Sequence, residues 1–176
     1  MLKTIALALL AAVVLLLAYA ATRPDTFRVE RSVLVQAPPG KLVPLIADLH
    51  QFNRWNPFNK KDPAVKGAYQ GPASGPGAAY TFEGNSDVGC GRVSVTAVSP
   101  TAVGVRLEMT EPMSADNAIA FTLAPEASGA TRVTWAMQGP SPFIGKLMGV
   151  VFDMDKMIGN DFEAGLNSLK ALAEAP

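Results

Sequence analysis

The sequence is poor in the residues that build disulfide frameworks, redox sites and metal centres. Its 176 residues include one cysteine, Cys90, and one histidine, His50. One cysteine forms no disulfide within the chain and leaves no C-x-x-C pair. One histidine and one cysteine supply too few ligands for a zinc site. We therefore predict no metal and no cofactor, and we interpret Cys90 as a small residue buried or half-buried in a strand.

The chain also lacks an excess of charge of either sign. Lysine and arginine together number 15, as do aspartate and glutamate, so the formal net charge at pH 7 is zero. No run of basic residues stands out along the sequence. Proteins that bind nucleic acids or acidic surfaces usually carry clustered positive charge. The composition therefore argues against nucleic acid as a partner.

Patterns of common catalytic sites are missing as well. The glycine-rich segments 71–77 and 84–91 contain no G-K-[ST] and precede no helix, so they do not predict a phosphate-binding loop. Residues 71–75 depart from the G-x-S-x-G pattern, and their proline suits a loop better than a strand-to-helix elbow. Histidine is the usual general base near neutral pH. However, His50 has no recognisable nucleophile nearby in sequence, so we interpret it as a surface or loop residue.

A long apolar run is the first positive feature of the sequence. Residues 5–21 are apolar without a break and have no polar face at any angle, which excludes a buried helix of a globular core. Their length is close to that of a membrane span. The density of leucine and valine favours an uncleaved, single-pass membrane anchor. Ala18-Tyr19-Ala20 also fits a signal-peptide cleavage site, so export after cleavage near Ala20 is the alternative.

We divide the chain into an anchor or signal segment, residues 1–22, and one domain, residues 23–176. Alternating apolar residues predict seven strands in this domain. The predicted strands are 26–36, 64–69, 78–83, 88–98, 102–110, 115–124 and 131–138. Clusters of Gly, Pro, Ser and Asp separate the last six, and no helix intervenes, which favours antiparallel hairpins. The apolar spacing of residues 41–49 predicts a short helix that Pro44 limits. Residues 51–58 are predicted to form an aromatic loop.

One long helix is predicted from Ser141-Pro142 almost to the C-terminus, because Ser suits the N-cap and Pro the first helical position. A helical wheel gives a broad apolar arc. The arc contains Ile144, Leu147, Val151, Met154, Ile158, Phe162, Gly165, Leu169 and Leu172. Asp161 falls within this arc and Phe152 outside it. We expect Asp161 either to pair with a strand arginine or a backbone N–H, or to orient a ligand in a cavity.

Several short motifs accompany this order of elements. They are Ala37-Pro38-Pro39, Val43, Ile46, Asp48, Trp55-Asn56-Pro57 and the strand 129–135 before the long helix. Together, over residues 26–172, they resemble the START/Bet v 1-like (SRPBCC) helix-grip superfamily, in its bacterial polyketide cyclase/dehydrase-type branch. The resemblance implies an α+β fold in which a curved antiparallel sheet of about seven strands wraps around a long C-terminal helix. It also implies two short helices after the first strand and a cavity between helix and sheet.

A set of aromatic, methionine and polar residues is predicted to contact a ligand in that cavity. Flexible and aromatic side chains around a few polar groups are typical of an adaptable apolar pocket. The predicted set is Trp55, Phe58, Tyr80, Phe82, Met109, Asn117, Phe121, Trp135, Met137, Met154, Ile158, Asp161 and Phe162. We expect Asn117 and Asp161 to orient the ligand, and Trp55 and Phe58 to form a lid.

Three functional hypotheses follow from these residues. The first is a membrane-anchored module that binds a hydrophobic small molecule or lipid and performs no chemistry on it. The second is a cyclase or dehydratase in which Asp161, Asn117 or His50 act as acid, base or polarising groups, which requires that they converge on one point. The third is a scaffold with a filled core that binds a protein partner. An enclosed volume well below a few hundred Å³ would favour the third hypothesis.

Overall fold

The computed structural model describes residues 1–175. The helices are α1 (Leu2–Ala21), α2 (Pro39–Ala47), α3 (Leu49–Trp55), α4 (Pro57–Lys61), α5 (Phe143–Val151) and α6 (Met154–Glu174). The strands are β1 (Thr26–Val35), β2 (Lys66–Gln70), β3 (Ala79–Glu83), β4 (Cys90–Ser99), β5 (Ala102–Glu111), β6 (Ala115–Pro125) and β7 (Thr131–Pro140). The predicted α+β helix-grip fold is confirmed.

All seven strands form one antiparallel sheet in the order β1-β7-β6-β5-β4-β3-β2. Hairpins join β2 through β7 in sequence, and β1 closes the sheet by pairing with β7. Buried and exposed residues alternate along β6, where Ile119, Phe121 and Leu123 face inward. A register shift in β4 between Val95 and Ala97 bends the sheet, because an extra residue in one strand increases local twist and curvature.

Helix α6 supplies the other wall of the core. Phe162, Leu166 and Leu169 are almost fully buried on one face, three or four residues apart, as expected of an amphipathic helix lying on a sheet. The same helix runs along β1, where the Lys170 ammonium donates to the Leu34 carbonyl over 2.9 Å. The apolar arc predicted for the helix is thus confirmed from Ile158 onward.

Arg31 of β1 ties α6 to the sheet at its N-terminal end. Its guanidinium forms ion pairs with Asp155 over 2.8 Å and with Glu163 over 3.0 Å. The hydrogen bond from Arg31 holds the pKa of the Asp155 carboxyl below its usual value. A β-carbon at Gly159 would overlap this guanidinium, so the glycine lets the arginine cross the helix. Arg31, which interrupts the apolar row of β1, therefore has a structural role.

The prediction of a single helix from Ser141 is wrong, because the helix is interrupted after Val151. Phe152 is extended, and the Asp153 carboxylate accepts a hydrogen bond from the Lys156 N–H over 2.9 Å. This contact caps a new helix, a role for which aspartate is well suited. The preceding helix, α5, begins after Pro142 and contains no buried residue. The helical-wheel positions Ile144, Leu147, Val151 and Met154 therefore do not belong to the buried face of α6.

The aromatic loop predicted over residues 51–58 is also wrong. These residues form α3 and α4, so three short helices follow β1 rather than two. The Asp48 carboxylate accepts from the His50 N–H over 2.8 Å, and the Asn56 amide oxygen accepts from the Phe58 N–H over 3.2 Å. Each side chain caps one short helix, and Pro57 starts the second at a position where its missing N–H costs nothing.

Helix α1 projects from the domain and is exposed along most of its length. Ala20, near its C-terminal end, is its buried residue. Within residues 1–175, α1 is the one helix long and apolar enough to cross a membrane, and an N-terminal signal sequence would meet the same criteria. Its end packs against α5.

Candidate functional site

A cavity of about 120 Å³ lies between α3, α4 and the inner face of the sheet. The short helices contribute Phe52, Asn56, Phe58 and Asn59, and the following link contributes Val65. The sheet and its β3–β4 loop contribute Tyr80, Phe82, Val88, Val93, Leu107, Met109, Ile119 and Trp135. The wall is therefore mainly apolar, with two amides, one phenol and one indole as its polar groups.

The floor of the cavity follows from the strand register. Tyr80 pairs with Val93, Val93 with Leu107, and Leu107 with Asn117, so one row of side chains crosses β3, β4, β5 and β6. Side chains opposite one another on antiparallel strands point to the same face. Asn117 ends this row beside Gly139, and a β-carbon at Gly139 would overlap its amide oxygen. The missing side chain of Gly139 therefore makes room for the buried amide.

Phe58, Val65, Val88 and Met109, beside the end of α4 and the β3–β4 loop, are half-buried, as are Phe82, Val93 and Leu107 of the strands. We take the side next to the loop as the mouth of the cavity. Asp62 holds this region together, because its carboxylate accepts from the Asn85 N–H over 2.7 Å and from the Ala64 N–H over 3.0 Å. These contacts join the end of α4 to the β3–β4 loop. The flexible methionine and the loop are the parts of the wall best able to move aside.

An aromatic cluster backs the cavity. Trp135 stacks on Phe162 with 4.2 Å between ring centroids and 9° between planes. Trp55 and Phe121 also pack against Trp135, at 5.8 and 5.0 Å. The Trp55 indole N–H donates to the Leu45 carbonyl over 2.8 Å. Trp55 is thus a fixed core residue, whereas Phe58, the other residue expected in a lid, lies at the mouth.

The structure divides the predicted ligand contacts into three groups. Those that line the cavity are Phe58, Tyr80, Phe82, Met109 and Trp135. Those in or against the surrounding core are Trp55, Asn117, Phe121, Met137, Ile158 and Phe162. Met154 and Asp161 lie outside both sets: Met154 is exposed and Asp161 is partly exposed in an ion pair.

The three polar side chains considered for catalysis have separate surroundings. The Asp161 carboxylate accepts from the Lys61 ammonium over 2.7 Å, so it pairs with a helix lysine rather than with the strand arginine. His50 stacks on Tyr69 at a centroid distance of 3.6 Å. Asn117 is buried beside Gly139. None of the three is among the described residues that line the cavity.

Several lining residues are absent from the predicted set. Val93, Leu107 and Ile119 belong to inward-facing strand rows, and Phe52 and Asn56 precede and follow Trp55. Strand alternation identifies the face of a sheet but not the level along the strand at which packing leaves a gap. Leu107 and Ile119 could be placed on the correct face from sequence, but nothing in their pattern distinguishes them from filled-core positions.

Two buried polar atoms have no hydrogen-bond partner within the part of the chain that the structure describes. They are the Asn117 amide oxygen and the Trp135 indole nitrogen. A buried donor or acceptor without a partner costs about 1–3 kcal/mol. Trp135 lines the cavity with other atoms of its side chain, because its indole nitrogen is fully buried.

The Tyr80 phenol is the only ionisable group among the described lining residues. Burial raises its pKa above the ordinary value of 10.0, and the nearby Tyr69 adds to the shift. At neutral pH the hydroxyl is therefore neutral and can donate or accept a hydrogen bond.

A second hollow, of about 590 Å³, lies on the outer face of the sheet around β2, β3 and β4. It is larger than the inner cavity but open to solvent, and it is lined partly by charged side chains of both signs, including Lys66, Glu83 and Arg92. Water competes for every polar contact in such a groove. The inner cavity, which is smaller and mainly apolar, is the better candidate for a ligand site.

Comparisons with known proteins agree with this architecture. A family model described as "Polyketide cyclase / dehydrase and lipid transport" matches residues 26–174. A search of curated proteins finds no match. Solved structures with a similar fold include the ZhuI aromatase/cyclase from Streptomyces sp. R1128, with a TM-score of 0.58 and 14% identity over 85% of this chain and 94% of that one.

Two further structures extend the comparison. The hypothetical protein jhp0584 from Helicobacter pylori has a TM-score of 0.63 and 14% identity, covering 87% of this chain and 90% of its own. Ara h 8.0201 has a TM-score of 0.56 and 12% identity, covering 84% and 97%. At such identities the likeness shows the shared fold alone. The family match runs from the first strand through the final helix, and the chain therefore belongs to the polyketide cyclase/dehydrase and lipid transport family.

Proposed function

We propose that the domain binds a small hydrophobic molecule, or the apolar part of a lipid, in the inner cavity and performs no chemistry on it. The observation that carries the proposal is a cavity with a mainly apolar wall, to which Phe58, Phe82 and Trp135 contribute aromatic rings. Apolar and aromatic walls with few polar groups are typical of ligand pockets.

The volume of the cavity limits the ligand. The cavity volume of about 120 Å³ is below the roughly 300–1,000 Å³ of typical ligand pockets. By volume alone, the cavity therefore fits the hypothesis of a scaffold with a filled core. An apolar cavity of about 150 Å³ nevertheless binds benzene in another protein. The cavity as it stands therefore suits a group about the size of one ring. A longer molecule would extend through the mouth between Phe58 and Met109.

The chemistry of the wall supports binding rather than catalysis. General acid–base catalysis needs titratable groups within hydrogen-bond reach of the substrate. Of the described lining residues only Tyr80 titrates, and burial moves its pKa away from neutrality. Asp161 and His50 have partners elsewhere. A cyclase or dehydratase remains the second hypothesis, and it would have to act through the Tyr80 hydroxyl or through polarisation by amides.

We further propose that α1 anchors the domain in a membrane. The helix is apolar, long enough to cross a bilayer and largely uncovered by the rest of the chain. Removal of a signal peptide near Ala20 accounts for the same features. The mass of the mature protein separates the two proposals, because cleavage removes about 20 residues.

Mass spectrometry of an organic extract tests the binding proposal. The full chain is purified from membranes in detergent beside a Val93→Phe variant, in which an added ring occupies the cavity. We expect an apolar compound at close to one molecule per wild-type chain and a large depletion in the variant. Lipid bound to α1 and residual detergent should be equal in both samples. Extracts that do not differ between the two proteins would contradict the proposal.

A further inference from the structure

Helix α5 and the start of α6 expose an unusual number of large apolar side chains. The exposed residues are Phe143, Ile144, Met148, Val151, Phe152, Met154 and Met157, which we call the α5 patch. Val151 alone is 64% exposed. Single exposed apolar residues are normal, but a contiguous group of this kind usually marks an interaction site. None of the patch residues lines the described wall of the inner cavity.

The only charged residue within α5 is neutralised by a neighbour. The Lys146 ammonium pairs with the Asp25 carboxylate at 2.5 Å, and its side chain is 10% exposed. Lys146 also lowers the pKa of Asp25, mainly through this hydrogen bond, so the Asp25 carboxyl stays ionised at neutral pH. The next charges follow at Asp153 and Asp155, beyond the end of α5. A helix without free charge is suited to an apolar environment.

The position of α5 beside α1 identifies that environment. The end of α1 packs against α5, and the Ser141 N–H donates to the Asp25 carbonyl over 2.7 Å just before α5 begins. Tyr19 and Arg23 stand at this end of α1, with the guanidinium 5.9 Å from the ring centroid. Tyrosine and arginine are typical of the boundary between membrane and water. A bilayer that holds α1 would therefore have its surface at the level where α5 starts.

We propose that the α5 patch lies in the interfacial layer of the bilayer that holds α1, as a second membrane contact of the domain. Nine residues of helix extend about 13 Å, too short to cross a hydrocarbon core of about 30 Å, so α5 lies along the surface rather than through it. The inference rests on the proposed anchoring by α1. Two contacts with one bilayer would fix the orientation of the domain, which one flexible anchor leaves free.

Spin labels at three exposed valines test this placement in the full chain. In a Cys90→Ser background, Val13→Cys labels α1, Val151→Cys labels the α5 patch, and Val98→Cys labels β4 as a matched control. The chains are reconstituted in vesicles of phosphatidylcholine and phosphatidylglycerol, and tryptophan fluorescence checks their fold. We expect the labels at 13 and 151 to collide with oxygen and to be shielded from a nickel chelate. The label at 98 should show the reverse.

The remaining outcomes separate the two proposals. A label at 151 that is open to the nickel chelate, while 13 is in lipid, would overturn the α5 contact and leave the anchor intact. If the labels at 13 and 151 are both in water, the proposal that α1 anchors the domain in the membrane is wrong. A label at 151 shielded from both reagents would show that protein, such as a second copy of the chain, covers α5, which also overturns the proposal.

Discussion

Replacing Phe162 with alanine is expected to lower the free energy of unfolding by about 3–5 kcal/mol. Phe162 is 1% exposed and lies flat on Trp135, so its removal leaves a void between α6 and the sheet. Small domains are stable by only about 5–15 kcal/mol, so a loss of this size consumes a large share of the total. Urea unfolding of the full chain in detergent measures it. Both tryptophans of the protein, Trp55 and Trp135, report on this cluster.

Phe152→Ala is the matched control for that measurement. Phe152 is 47% exposed in the break between α5 and α6, so its truncation should change stability by less than about 0.5 kcal/mol. If Phe162→Ala cost no more than Phe152→Ala, α6 would not hold the core of the sheet. The helix-grip packing described above would then be wrong at its centre.

Val93→Phe is expected to weaken the binding of a small apolar probe, such as benzene, by at least about tenfold, equivalent to about 1.4 kcal/mol. Val93 stands in the floor between Tyr80 and Leu107, so an added ring occupies the space that the probe needs. Because the ring fills an existing hollow, we expect stability to fall by less than for overpacking a filled core, which costs about 1–3 kcal/mol. Calorimetric titration of the full chain measures the affinity.

The same substitution at Val98 controls for general effects of an extra phenylalanine. Val98 lies on the same strand but is exposed, and it does not line the cavity. Val98→Phe should bind the probe with wild-type affinity. Equal weakening in both variants, or no weakening in either, would show that the probe binds elsewhere, for example along α1 or the α5 patch.

Much of the fold could be predicted from sequence because its signals are local. Alternation predicted all seven strands, and the observed bounds differ from the predicted ones by at most two residues, as is usual at element ends. The buried face of α6 followed from helical spacing between Ile158 and Leu169. These sequence patterns agree with the structure because each strand or helix buries one face against the same core.

The break at Phe152 could not be predicted from the apolar spacing, which continues through it. Ile144, Leu147 and Val151 match the helical period of α6, yet they lie in α5, which buries none of its residues. The local signal was Asp153, whose side chain can cap a helix start. A capping residue inside a long periodic run is ambiguous, because only tertiary packing decides whether the helix ends there.

The residues predicted to contact a ligand overlap the cavity wall only in part. Aromatic and methionine side chains do surround a cavity, and Tyr80, Phe82 and Trp135 line it. Asp161 stood out because it interrupts an apolar arc, but Lys61 of α4 reaches it from another element. Such a contact depends on how α4 packs against α6, which no spacing within either helix reveals. The same limit explains why Val93 and Ile119 were not selected.

The most direct test of ligand binding in the inner cavity is a crystal of the protein soaked with iodobenzene. The iodine marks the ring by its anomalous scattering, and one ring is about what the cavity can hold. We predict one strong anomalous peak enclosed by Phe82, Leu107 and Trp135, absent from Val93→Phe crystals soaked in the same way. An empty cavity in the wild-type crystals, or a peak unchanged in the variant, would contradict the binding of an apolar ligand at this site.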